Sequence, residues 1–225
     1  DMGTGKSKTS IDFASNLYLE GKIDRVLLIA PNNVHSQWYN EQIPEHSPVD
    51  VEKFLWKSSR AKTYLARVRD FVMKPYNGLK WFCVNIDVFS TLNYISVFQS
   101  FLQKGPSMIV IDEATTIKNP EAKRTFNVCY NLGTLERAKK IITGYLPYSK
   151  YRQILSGSIV TESPYNVFAP FNFLKYNFFE KNYFSFKSRY GIEITDSSEF
   201  YNPHTKSTQK NTFKRGIRED EIKKI

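Results

Sequence analysis

Two short segments, about a hundred residues apart in the sequence, carry side chains that suit phosphate and metal chemistry. Residues 3–7 read GTGKS, and residues 109–114 read IVIDEA. Glycines let backbone N–H groups turn toward a polyphosphate, and a lysine in such a loop adds a positive charge toward the β- and γ-phosphates. A serine hydroxyl and an aspartate carboxylate are suitable oxygen ligands for Mg²⁺. Together the two segments predict a nucleoside triphosphate site with its Mg²⁺.

Each residue of these segments has a predicted role. Lys6 and the loop backbone hold the phosphates, Ser7 and Asp112 bind Mg²⁺, and Glu113 polarises the attacking water. The catalytic residues would be Lys6, Asp112 and Glu113, and the nucleotide-binding residues would be Gly3, Thr4, Gly5, Lys6 and Ser7. The alternative for Asp112 and Glu113 is a pair of surface acids at a strand end. The apolar strand before them, together with Lys6, favours the catalytic interpretation.

The elements around the first segment follow the order that a phosphate-binding loop requires. Residues 6–20 place apolar side chains at helical spacing, so a helix begins where the phosphates would bind. Gly21 ends this helix, and residues 26–30 predict a short buried strand. The strand that should precede the loop is missing ahead of Asp1, so we expect the chain to be a fragment.

Further along, strand-type and helical segments alternate. Strands are predicted at 51–56, 81–86, 108–111 and 151–155, and helices at 34–43, 60–73, 87–103 and 121–132. This alternation predicts an α/β fold with a mostly parallel, doubly wound sheet, helices on both faces and ligands at the carboxyl ends of the strands. Gly5, Asp112 and Ser156 would then all lie at one edge of the sheet.

The net charge and the number of cysteines indicate which kind of partner and which cellular compartment to expect. The net charge of +10 and the pI near 9.4 favour a polyanionic partner such as nucleic acid, with a solvated basic surface as the alternative. Cys83 and Cys129 lie in different segments, which predicts free thiols in a reducing compartment. His35, His46 and His204 show no metal-ligand spacing with either cysteine, so no zinc site is expected. No stretch approaches the ~20 apolar residues that span a bilayer.

Two regions are expected. Residues 1–175 form the nucleotide-binding lobe, and residues 176–225 form an aromatic and basic extension. The stretch 176–190 could stack on bases, although packing on the lobe is the preferred interpretation. Residues 195–216 predict a loop or linker, and the last ten residues could begin a helix.

Five segments in order resemble the first motor lobe of the Swi/Snf-type ATPases, within the DEAD/DEAH-related superfamily-two helicases. They are residues 1–7 (DMGTGKS), 30–41 (APNNVHSQWYNE), 84–86 (VNI), 111–119 (IDEATTIKN) and 152–158 (RQILSGS) with 162–164 (ESP). The stretch 184–190 (FSFKSRY) resembles small phage-encoded members more weakly. The resemblance covers roughly residues 1–175 and implies a RecA-like P-loop lobe.

The resemblance also implies an activity and its partners. It implies ATP hydrolysis on binding DNA, with duplex DNA as the expected form, and a second RecA-like lobe of the same protein that supplies an arginine finger. Backbone contact with DNA is assigned to Pro31, Asn32, Asn33, Lys118 and Asn119, and coupling of nucleotide to DNA is assigned to Ser156, Gly157 and Ser158. The implied location is the cytoplasm, or the host cytoplasm for a phage protein, with the nucleus left open.

Several alternatives remain open on the residues themselves. Residues 31–33 could form an ordinary turn, Lys118 and Asn119 could cap or solvate the next helix, and the serines after 155 could be ordinary turn hydroxyls. Trp38 is expected to fill the core rather than stack on a base. For the whole chain, the alternatives are an RNA helicase, a restriction-type motor, or a basic α/β nucleic-acid-binding module with an inactive loop.

Two departures from the family pattern concern coupling. Thr115 stands where the DEAH box has His, a residue that couples the ATP state to the segment at 152–158. Ser156-Gly157-Ser158 stands where Thr-Gly-Thr is usual, and this change keeps both hydroxyls. The catalytic residues themselves are retained.

Overall fold

The computed structural model describes residues 5–131, 133–137, 140–144, 149–158, 163–175, 177–180, 182–190, 199–202 and 207–210. Its centre is a sheet of five strands in the order β2-β3-β1-β4-β7, in which every neighbouring pair is parallel. The strands are β1 (Arg25–Ala30), β2 (Val51–Leu55), β3 (Leu79–Asn85), β4 (Ser107–Asp112) and β7 (Ser149–Leu155). The predicted α/β fold with a parallel sheet is confirmed.

Helices cover both faces of this sheet. The main helices are α1 (Lys6–Leu19), α4 (Lys62–Met73), α5 (Ile95–Gln103), α7 (Phe168–Leu174) and α8 (Tyr183–Tyr190). A further helical segment runs from α2 (Val34–Gln37) through a π-type turn (Trp38–Gln42) to α3 (Ile43–His46), and another runs from α6 (Lys123–Phe126) into a π-type turn (Asn127–Asn131). No helix among the described residues is long and apolar enough to cross a membrane.

Alternate residues of the central strands contribute to two separate hydrophobic cores, one on each face of the sheet. Leu27, Phe82 and Ile109 point to one face, where α4, α5 and α7 pack. Their neighbours Val26, Leu28, Trp81, Cys83, Met108 and Val110 point to the other face, toward α1 and Trp38. Because successive side chains of a strand face opposite ways, a sheet covered on both faces needs these near-continuous apolar strands. This is the doubly wound arrangement that the sequence predicts.

One predicted helix is shorter than expected. Instead of running from 87 to 103, the segment forms a 3₁₀ turn at Ile86–Ser90 and then α5 from Ile95. The side chain of Asn127 donates to the carbonyl oxygens of Phe89 (2.6 Å) and Thr91 (3.4 Å). These carbonyls are therefore held by a distant residue, and the helix begins only after them.

Two antiparallel hairpins lie outside the central sheet. β5 (Gly133–Arg137) pairs with β6 (Lys140–Gly144), and β8 (Glu199–Asn202) pairs with β9 (Ser207–Lys210). Neither hairpin is predicted from the sequence. Residues 195–216 were expected to form a loop or linker, and this expectation is wrong for residues 199–202 and 207–210, which form the second hairpin. The helix expected in the last ten residues lies outside the described part of the chain.

The aromatic stretch near the end of the described chain packs on the lobe. Phe186 and Tyr190 of α8 are buried and contact Phe168 of α7 and Phe179. The ring centroids of Phe168 and Phe186 lie 5.1 Å apart. For these residues, packing rather than base stacking is the observed arrangement.

Two of the basic residues in the charge count are buried. Lys80 is 3% exposed, and its ammonium group donates to the carbonyl oxygens of Phe71 and Lys74 at 2.6 Å and lies 3.0 Å from a carboxylate oxygen of Glu52. Arg25 is similarly buried and donates to the carbonyl oxygen of Phe101. These charges stabilise the fold and are not available to a polyanion, so the net charge overstates the basic surface.

Candidate nucleotide site

The end of the predicted phosphate loop lies at the start of α1. Gly5 adopts a left-handed conformation with φ of 75°, which glycine reaches without a steric penalty, and α1 begins at Lys6. No side chain caps this helix. First-turn N–H groups lack intrahelical partners and favour an anion at that position. Gly3 and Thr4 lie outside the described residues.

Asp112 is the last residue of β4 and is held by two hydrogen bonds. The indole N–H of Trp38 donates to Asp112 Oδ2 at 2.7 Å, and the backbone N–H of Glu113 donates to Oδ1 at 2.9 Å. Burial raises the pKa of Asp112, and both hydrogen bonds and the positive charge of Lys6 oppose that rise. The charge of Lys6 therefore acts on the carboxylate of Asp112, as expected if both belong to one site.

Glu113 turns out of the strand and receives two hydroxyl groups. Its φ of 58° is left-handed, an uncommon conformation for a residue with a Cβ. Thr115 Oγ1 lies 2.7 Å from Glu113 Oε1, and Ser156 Oγ lies 3.2 Å from the same oxygen. Ser156 also lies 2.8 Å from the carbonyl oxygen of Ser158, so its single proton has two alternative acceptors. The carboxylate of Glu113 is thus oriented from β4 and β7 together.

The parallel register explains why these residues meet. Asp112 pairs with Leu155, so the residues that follow β4 and β7 emerge side by side. Helix α1 contacts β7 directly, because the buried hydroxyl of Ser10 donates to Gln153 Oε1 at 2.7 Å. Asp112 and Ser156 therefore lie side by side at one edge of the sheet, as expected, and α1, which Gly5 precedes, packs against the same sheet.

The residues predicted to contact DNA lie at the same edge in two groups. Asn32 and Asn33 are exposed after β1, and Asn33 has a left-handed φ of 67° just before α2. The backbone oxygen of Asn33 accepts from the Ser36 hydroxyl at 2.8 Å, and the carbonyl oxygen of Pro31 accepts from the ring Nδ1 of His35 at 3.2 Å. This loop is a defined turn that presents two amide side chains.

The second group follows the 3₁₀ turn Ala114–Ile117. Asn119 is exposed, and its Oδ1 accepts from the backbone N–H of Glu121 at 2.9 Å, while its carbonyl oxygen accepts from Ala122 at 3.2 Å. Asn119 therefore organises the turn before α6 but does not cap that helix, whose N-cap is Ala122. Lys118 is half-buried beside it. Gly157 and Ser158 are exposed at the end of β7.

The donor set around Asp112 suits a metal ion that arrives with a nucleotide. Among the described residues, no group of three or more His, Cys, Asp and Glu side chains could hold a metal. Mg²⁺ in nucleotide sites typically takes one or two protein ligands and fills its other positions with phosphates and water. One carboxylate from Asp112 and one hydroxyl from Ser7 fit that requirement.

Four contributors to the site could not be assigned from the sequence. Trp38, Ser10 and Gln153 show no pattern that distinguishes them from core residues of a helix or strand. In the sequence, Thr115 is distinguished only by its departure from a family pattern. Its hydroxyl, two residues after Glu113, is the one feature that could have indicated this contact, because short polar side chains often form hydrogen bonds with groups close in sequence.

A parallel α/β lobe whose sheet edge carries a glycine-led helix start and an Asp-Glu pair is the RecA-like class of fold. The chain belongs to the SNF2-related domain family, whose profile matches residues 1–215. No curated protein sequence gave a significant match.

Two solved structures show a distant similarity. One is a nuclease-deletion mutant of the Type ISP restriction-modification enzyme LlaGI in complex with a DNA substrate mimic, at 16% identity and a TM-score of 0.49 over 70% of this chain and 13% of that one. The other is the ATP-dependent Type ISP restriction-modification enzyme LlaBIII bound to DNA, at 17% identity and a TM-score of 0.42 over 72% of this chain and 12% of that one. The chain therefore spans only a small part of either protein.

Proposed function

We propose that the chain is the first motor lobe of an ATP-dependent DNA translocase that hydrolyses ATP when DNA is bound. The main support is the convergence of the start of α1, the Asp112–Glu113 pair and Ser156 at one edge of a parallel sheet. Ligands of open α/β sheets bind at the carboxyl ends of the strands. Membership of the SNF2-related domain family supports the same conclusion.

In this proposal each residue acts on the nucleotide in a distinct way. The backbone of Gly3, Thr4 and Gly5 and the ammonium group of Lys6 hold the phosphates. Ser7 and Asp112 would hold Mg²⁺, which neutralises phosphate charge when bound. Glu113 orients the attacking water and accepts its proton, because a carboxylate that accepts from the Thr115 hydroxyl, with the Ser156 hydroxyl also within reach, can present its second oxygen in a constant direction. Phosphoryl transfer depends mainly on such positioning.

The nucleic-acid face would lie beside the nucleotide. Pro31, Asn32 and Asn33 offer backbone and amide groups to a DNA backbone, and Lys118 and Asn119 offer a charge and an amide from the next turn along the edge. Ser156, Gly157 and Ser158 would connect the two ligands, since Ser156 already contacts Glu113. The net charge of +10 is in keeping with a phosphate-rich partner.

A second RecA-like lobe would complete the catalytic site. Superfamily-two motors bind ATP between two lobes, and the resemblance implies an arginine finger on the second lobe. The ATP site of this lobe would therefore reach full activity only in the protein that carries both lobes.

The test is ATP hydrolysis by the two-lobe protein with no nucleic acid, with duplex DNA and with RNA. Stimulation by duplex DNA supports the proposal, and equal turnover without nucleic acid contradicts it. Stimulation by RNA alone identifies an RNA motor instead. An absence of hydrolysis, with nucleic-acid binding unchanged in Lys6→Ala, identifies a binding module.

A further inference from the structure

The hydrogen bond between Trp38 and Asp112 joins two elements that the proposed mechanism does not connect. Trp38 is the first residue of the π-type turn that interrupts the helix after the loop 31–33. Its indole nitrogen lies 2.7 Å from Asp112 Oδ2, across 74 residues of sequence. π-type turns inside helices are rare and are frequently found at functional sites.

The bond fixes a carboxylate that would otherwise rotate. Asp112 Oδ1 is held by the backbone N–H of Glu113, which leaves Oδ2 as the oxygen that needs a donor. An indole N–H can donate only one hydrogen bond, and Trp38, at 1% exposed, cannot exchange this acceptor for bulk water. Each carboxylate oxygen keeps a second lone pair for another ligand. The orientation of Asp112 therefore depends on where the helix places Trp38.

Burial alone does not explain this contact. Trp81 packs against Trp38 with ring centroids 6.1 Å apart, is fully buried, and has no hydrogen-bond partner for its indole nitrogen. The same core thus tolerates an indole N–H without an acceptor. The pairing of Trp38 with Asp112 is a specific feature of the edge of the sheet, and Trp81 provides a matched comparison.

We propose that Trp38 is a positioning residue that holds Asp112 in the orientation from which it would bind the Mg²⁺ of the nucleotide. This assignment rests on the proposed function. It also provides a direct path between the two ligands, because the helix that carries Trp38 begins at the loop proposed to contact DNA. A displacement of that helix would move the hydrogen-bond donor of a metal ligand.

The first test uses the 225-residue chain and needs no activity. Its three tryptophans give three indole ¹⁵N–¹H resonances, which the variants Trp38→Phe, Trp56→Phe and Trp81→Phe assign. In Asp112→Ala the Trp38 resonance should shift and exchange faster with solvent, and those of Trp56 and Trp81 should change less. Addition of Mg²⁺ with a non-hydrolysable ATP analogue to the wild-type chain should shift the Trp38 resonance selectively. A Trp38 resonance that responds no more than that of Trp81 overturns the assignment.

The second test uses the two-lobe protein. Trp38→Phe should raise the Mg²⁺ concentration for half-maximal ATP hydrolysis by about tenfold, the factor expected for one hydrogen bond to a charged group. The KM for ATP at saturating Mg²⁺ should change little. Trp81→Phe removes a similar ring volume without this bond and should keep the wild-type Mg²⁺ dependence.

The two proposals can fail separately. If the wild-type two-lobe protein does not hydrolyse ATP, the proposed function fails. If it hydrolyses ATP but Trp38→Phe and Trp81→Phe have the same Mg²⁺ dependence, only the assignment of Trp38 fails. If Trp38→Phe does not fold, the indole resonances of wild type and Asp112→Ala still decide between the outcomes.

Discussion

The hydroxyl group of Ser156, one residue beyond β7, lies 3.2 Å from Oε1 of Glu113, one residue beyond β4. Thr115 Oγ1 lies 2.7 Å from the same oxygen. The proposed base is therefore oriented by a hydroxyl from its own loop and by another from the neighbouring strand. Thr115 departs from the His that the Swi/Snf resemblance implies at this position, and its hydroxyl contacts the carboxylate directly.

Removal of these hydroxyls should slow hydrolysis without weakening ATP binding. Thr115→Val and Ser156→Ala should each lower kcat by about 10- to 100-fold, because a hydrogen bond to a charged group is worth about 1.5–3 kcal/mol. The double variant should lose less than the product of the two effects, since both groups bond one oxygen. The measurement is steady-state ATP hydrolysis by the two-lobe protein. Thr116→Val is the control, because the buried Thr116 hydroxyl has no hydrogen-bond partner, and an equal loss in this variant would contradict the prediction.

Glu113→Gln should separate nucleotide binding from chemistry. The amide keeps the size and one acceptor oxygen but cannot take a proton from water, so kcat should fall by about 10²–10⁴-fold. ATP affinity, measured by equilibrium binding, should stay close to that of wild type. Glu45→Gln removes an exposed acid from α3 and serves as the matched control. Full turnover by Glu113→Gln would exclude Glu113 as the base.

Ser10→Ala should destabilise the lobe more than Ser15→Ala. Both serines are fully buried in α1, but only Ser10 has a partner, and its loss would leave Gln153 Oε1 without that donor. Loss of a hydrogen bond to the half-buried Gln153 should cost about 0.5–1.5 kcal/mol, whereas removal of an unpartnered hydroxyl is neutral or stabilising. Urea unfolding of the chain gives the two free energies. Equal values would show that the bond contributes nothing to stability.

His35 should make the lobe less stable in mild acid. Burial lowers the pKa of His35, and the hydrogen bond to the Pro31 carbonyl opposes that effect only in part. A base with a depressed folded-state pKa favours the unfolded state when protonated. The free energy of unfolding should therefore fall as the pH drops through the unfolded value of about 6.5 toward the lower folded one. Urea titrations between about pH 7.5 and 5 should show a flatter dependence for His35→Gln, and parallel curves would refute this origin.

The strand ends were predictable from the sequence, and the side-chain contacts between them were not. The apolar run before Asp112 identifies a buried strand, the segment 151–155 predicts a second strand before Ser156, and parallel pairing then requires their carboxyl ends to share one edge. The bond from Trp38 joins residues 74 positions apart, and helical periodicity does not reveal its acceptor. Helix α5 begins later than the sequence predicts, because Asn127 holds the carbonyl oxygen of Phe89 through a contact between distant residues. Local patterns carry no information about such partners.

The two free cysteines give each side of the sheet its own probe of local opening. Cys83 faces the core beneath α1, and Cys129 faces the core beneath α4 and α5. Both are buried and their pKa values are raised by burial, so alkylation at neutral pH must wait until the surrounding structure opens. The labelling rates of the two thiols would then measure two separate opening free energies in an unmodified chain. A comparison of these rates with and without nucleotide would show on which side of the sheet a bound ligand raises the free energy of local opening.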